Sequence, residues 1–129
     1  MIETGNAVMN WERLERFTDG DVGETEELMA LFVDQSEGIV TSLKTSQGTG
    51  QATEWKMAAH KLKGSAANMG AERMAKVSAD AESAWEEGEL TKSSYVEQIV
   101  VQQAELRRIL DKLTAAKGSA KSLDEALLD

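Results

Sequence analysis

"EWKMAAHKLKGSAANMGA", residues 54–71, decides the fold. Trp55, Ala58, Ala59, Leu62, Ala66 and Met69 recur at helical spacing, which predicts an amphipathic helix over about Ala52–Met69. Gly70 suits its C-terminal cap, because glycine enters the left-handed region without a Cβ penalty. The segment is no phosphate loop: no strand precedes it, the Walker spacing is missing, and the helical period runs straight through it. At 100° per residue, His60 lies about 160° around the axis from Leu62. The only histidine of the chain therefore projects into solvent.

Working outward, four more helices emerge. A first, about Ala7–Phe17, carries Val8, Trp11, Leu14 and Phe17 near one side and ends at the polar turn "TDGDVG" (18–23). A second, about Val22–Thr45, aligns Leu28, Phe32, Ile39 and Leu43. Beside that stripe Met29, Val33 and Val40 form an apolar shoulder, which the first helix could cover or leave open to a partner helix. After "SQGTG" (46–50) and the central helix, a fourth, Glu72–Glu87, buries Met74, Val77, Ala81, Ala84 and Trp85. The turn "EGELTKS" leads to a fifth, about Lys92–Ala116, with Val96, Ile99, Gln103, Leu106, Leu110 and Leu113 in steps of three and four, a bundle seam.

Long amphipathic helices joined by short turns pack as antiparallel neighbours. The expected class is all-α: an up-down-up-down four-helix bundle, with the first helix covering one end. Residues 1–117 form this one domain. The tail 118–129, "GSAKSLDEALLD", has a small amphipathic element (Leu123, Leu127, Leu128) without an obvious seat and is expected to be mobile or weakly docked.

Composition agrees. The 129 residues include no proline and only 5% aromatics, which favours helix over sheet. A net charge of −9 repels phosphate backbones and anionic lipid, so neither nucleic acid nor membrane surface is an expected partner. No apolar run approaches the ~20 residues of a membrane span, and the N-terminus lacks a signal peptide's features, so the cytoplasm is the expected compartment. Met1 and the compact length lean towards a free-standing protein. Without cysteine there are no disulfides or thiolate metal sites, and the apolar core faces hold no carboxylate set for a metal.

Around His60 the helix surface carries Lys56, Met57, Lys63, Gly64 and Ala67. A lone exposed histidine is usually an ordinary surface residue, and lysines on a polar face usually only solvate it. Gly64 is harder to dismiss, because glycine inside a helix costs ~1 kcal/mol relative to alanine. A bare backbone beside an exposed imidazole means that something approaches closely. Neutral imidazole is a good nucleophile near neutral pH. Lys56 and Lys63 disfavour its protonation and can partner a phosphoryl group placed on it. The strip suits phosphoryl exchange with another protein. No serine or cysteine motif offers hydrolase chemistry, and no nucleotide site is present.

These residues resemble a known family. "AHKLKGSAANMGA" (59–71) closely resembles the signature A-H-x-L-K-G-S-x-x-x-x-G-A of histidine-containing phosphotransfer (HPt) domains, and "LMALFVDQSEGIVTSL" (28–43) looks like that family's preceding helix. The resemblance covers roughly Leu14 to Leu113. It implies a phosphorelay intermediate, a carrier rather than a turnover enzyme. His60 would be the phospho-acceptor, Lys63 would steady the phosphoryl group, Gly64 would clear the approach, and Gly70 would end the helix. The implied partners are response-regulator receiver domains or a hybrid histidine kinase, met by a monomer. No cofactor is expected on this chain; Mg²⁺ belongs to the partner's receiver aspartate. One departure stands out: family members often carry a glutamine or another polar residue where the chain, turning back at Gly70, returns to the level of His60. Here Asp80 and Glu82 arrive on opposite flanks of the fourth helix, and Glu82 could pair with Lys63 or repel the phosphorylated form. The other reading is a helical adaptor that binds a receiver or another signalling protein without being phosphorylated.

Overall fold

A computed structural model describes residues 7–48 and 50–127. It is helical: α1 (Trp11–Thr18), α2 (Val22–Thr45), α3 (Ala52–Met69), α4 (Glu72–Ser83), α5 (Glu89–Ala116) and the short α6 (Leu123–Ala126). Helices α2 and α3 begin and end where the apolar period places them. Asp21 caps α2, its side chain accepting from Glu24 N at 2.8 Å. At the other end of α3, Gly70 takes φ +80, while Gly70 N bonds to Ala67 O and Ala71 N to Ala66 O, the paired bonds of a Schellman motif.

Three boundaries differ from expectation. Residues 7–10 are not helical; they cross the α3–α4 turn, where Asn10 N bonds to Gly70 O at 2.6 Å and Arg73 N to Ala7 O at 3.0 Å. Helix α4 stops at Ser83, four residues early, because its last turn tightens into three-residue bonds from Trp85 N to Glu82 O and from Glu87 N to Ala84 O. Ala84 and Trp85 still turn inward, so the apolar period does not register the change. Helix α5 starts at Glu89, one turn early. That turn carries no apolar signal, since Leu90 is 89% exposed.

Helix α2 packs on α3 and α5, and α4 packs on the same two, closing a ring of four helices around one core; α1 rests against α2 and α3. Trp55, Leu62, Ile99, Leu106 and Leu113 are fully buried there. Helices α2 and α5 run in opposite directions, as Glu26 meets Thr114 and Lys117 while Ser36 meets Gln103. The supposed shoulder Met29, Val33 and Val40 belongs to this core and is closed, so no partner helix can use it. Leu28 is only partly buried, and Leu31 takes the solvent face. Phe17 also leaves the core. The inner face of α1 is Leu14 and Thr18, whose hydroxyl donates to Leu14 O and accepts from Thr25.

Beyond α5, α6 lays Leu123 and Ala126 into the edge of the core. Leu128 lies outside the described residues. Among the described residues, no helix is long and apolar enough to cross a membrane.

Candidate functional site

His60 stands midway along α3 with 68% of its side chain exposed, on the face opposite the buried Ala59, Leu62 and Ala66. Behind it, Trp55 is sealed in the core and donates its indole N–H to Ala81 O at 2.6 Å, which ties α3 to α4 near the level of the histidine. That tie brings Glu82 alongside. One carboxylate oxygen of Glu82 lies 2.9 Å from His60 Nδ1, and the other lies 2.7 Å from Lys63 Nζ. A carboxylate only accepts hydrogen bonds, so Nδ1 is the donor. In the neutral ring the proton then sits on Nδ1 and the lone pair on Nε2, in a side chain that is mostly exposed.

The electrostatics follow from the same contacts. The Lys63 ammonium holds the Glu82 carboxyl below the usual carboxylate range; partial burial opposes this, and the bond from His60 adds to it. Glu82 is the least exposed of the three side chains, so the pair of Lys63 and Glu82 forms a floor beneath an open imidazole.

A Cβ built on Gly64 would meet nothing within 4 Å. The fold therefore does not require glycine there, and the bare backbone is free space beside the ring. Met57 and Ala67 are exposed on the same strip. Gly70 differs: its Cβ would stand 2.6 Å from Asn10 O, so close approach and positive φ both demand glycine. On the far side of the strip, α2 and α3 enclose an open groove of about 510 Å³, lined by Leu28, Leu31, Phe32 and Asp34 from α2 and by Ser65, Asn68 and Met69 from α3.

The family model of the Hpt domain matches residues 27–119, from the first turns of α2 to just past α5. The chain belongs to the Hpt domain family. Histidine phosphotransfer in two-component signalling is the function this family carries, and receiver domains and kinases are its usual partners. Among curated proteins and among solved structures nothing matches the chain. Helices α1 and α6 lie outside the matched Hpt region.

Within this Hpt domain the structure brings together His60, Lys63 and Glu82. It does not bring Lys56 to the histidine: that ammonium lies over the Trp85 ring, 4.6 Å from its centroid. Asp80 turns to Lys76 at 3.5 Å. Residue spacing alone gives no sign of the bond from His60 to Glu82. The turn at Gly70 set the height of Glu82, but only the rotation of α4 against α3 decides which way its carboxylate faces.

Proposed function

We propose that His60 is the phospho-acceptor of a phosphorelay, taking a phosphoryl group from a receiver-domain aspartate or a hybrid kinase and passing it to a response-regulator aspartate. The up-down-up-down order of α2 to α5 is the arrangement this reading uses. In the accepting step the Nε2 lone pair attacks phosphorus, the bond from phosphorus to the aspartyl oxygen breaks, and the partner's carboxylate leaves. The Nδ1 proton stays where it is. Positive charge grows on the ring as the N–P bond forms, and the Glu82 carboxylate beneath Nδ1 offsets it. Lys63 then turns from Glu82 to the new phosphoryl oxygens. Donation to an aspartate reverses these steps. Mg²⁺ is expected on the partner receiver domain.

The observation that carries this reading is the exposed imidazole with Nδ1 held by Glu82, which leaves the lone pair on Nε2. Gly64 leaves space for the donor, and the groove beside Leu31 is the surface proposed for the receiver. The test is incubation with a panel of phosphorylated receiver domains. Wild type should gain an acid-labile, base-stable label, His60→Gln should gain none, and Lys63→Ala should be slowed. Label persisting on His60→Gln sinks the proposal. Tight binding to a receiver with no label on either chain supports the adaptor instead.

A further inference from the structure

At the end of the bundle where α3 and α5 begin, the structure buries nearly all of a lysine side chain. Lys92, in the first turns of α5, is 3% exposed. Its ammonium stands 5.5 Å from the centroid of the Trp55 ring, and among the described residues it forms no hydrogen bond or ion pair. Lysine is almost never this buried without a partner, because an uncompensated charge in the interior is costly. The ring of Trp55 supplies only part of the compensation.

Lys92 lines a half-open cavity of about 280 Å³. The first residue of α3, Ala52, lines it too, as do the N-cap and first residue of α5, Gly88 and Glu89. Among the described residues, neither helix has a side-chain cap hydrogen bond at this end. Two helices of 18 and 28 residues thus open their positive ends on the space that Lys92 lines. The rim is opposite in sign, for the exposed Glu86, Glu87 and Glu89 also line the cavity. Half-buried Trp85 supplies an apolar wall.

A multiply charged anion such as phosphate meets three carboxylates on the way in. A bare cation meets Lys92 and two helix N-termini inside. A ligand with a carboxylate at one end and an ammonium at the other satisfies both. We propose that this cavity binds a small zwitterion of the α-amino-acid class, its carboxylate on Lys92 and the uncapped first-turn N–H groups, its ammonium towards Glu86, Glu87 and Glu89. The site is separate from the phosphoryl site, since Ala52 precedes His60 by eight residues, about 12 Å along α3.

The test is titration of the full chain with glycine, acetate, methylammonium and inorganic phosphate, followed by amide and indole NMR shifts and by tryptophan fluorescence. Glycine should give saturable shifts at Lys92, Trp85 and the first turns of α3 and α5, with acetate and phosphate at least about tenfold weaker. Lys92→Met should abolish glycine binding and keep the fold, because it replaces a buried lysine side chain by an apolar chain of similar length. Should that variant not fold, the surface variant Glu86→Gln/Glu87→Gln/Glu89→Gln must erase the preference for glycine over acetate. Acetate or phosphate binding as tightly as glycine to wild type overturns the assignment, as does the absence of any saturable shift with glycine.

Discussion

Glu82 is the residue on which the site turns, because one carboxylate serves both the ring and the lysine. Removing it by Glu82→Ala should release Nδ1 from the carboxylate that accepts its proton. The ¹⁵N shifts of the neutral His60 ring should then move away from the Nδ1–H tautomer, and phosphorylation should slow. The carboxyl is held below its ordinary pKa chiefly by Lys63, so its contribution to stability is complete above the usual carboxylate pKa. It is lost as pH falls through the folded value. Glu82→Gln should accordingly cost up to about 1 kcal/mol in urea unfolding at neutral pH, and the gap should close in acid. Its height beside His60 was legible from the turn at Gly70. Its double contact was not, since a helix's rotation about its own axis is set by everything it packs against.

At the scale of the element, α3 carries two glycines with opposite requirements. Gly64 sits in a continuous helix with open space where a Cβ would go, so Gly64→Ala should raise stability by about 0.5–1 kcal/mol while slowing transfer from a receiver. Gly70 ends the helix at φ +80 against the Asn10 carbonyl, and Gly70→Ala should lower stability by about 1–3 kcal/mol. Thermal unfolding separates the two, and transfer rates with a phosphorylated receiver check the first. Both glycines could be assigned from sequence, one from an uninterrupted period and the other from the end of it. The ends of α4 and α5 could not: a last turn tightened onto three-residue bonds and a first turn led by an exposed Leu90 leave the apolar period unchanged.

For the whole molecule, the C-terminal end is tied back onto the start of α2. Glu26, 8% exposed, accepts from Thr114 Oγ1 at 3.0 Å and from Lys117 at 3.2 Å. Just beyond, Leu123 enters the core with 5% exposure. Leu123→Ala should cost about 2 kcal/mol in urea unfolding, while the exposed Lys121→Ala should cost almost nothing. The seat of Leu123 was invisible in the sequence, because four helical residues carry too short a period to point anywhere. The same holds for Met29, Val33 and Val40: their spacing marks a second apolar stripe, and only the helices packed around α2 make that stripe interior.

By itself the sequence determined the helices α2 and α3, the solvent-facing imidazole between two lysines, and the family signature, because each depends on side-chain spacing along one helix and on local hydrogen bonds. The tertiary structure alone decided that Glu82 bridges His60 and Lys63, that Lys56 goes to Trp85, and that Lys92 is buried beside a cavity. Those contacts depend on how neighbouring helices rotate and slide against one another, a compromise among all their packed faces that no single helix encodes.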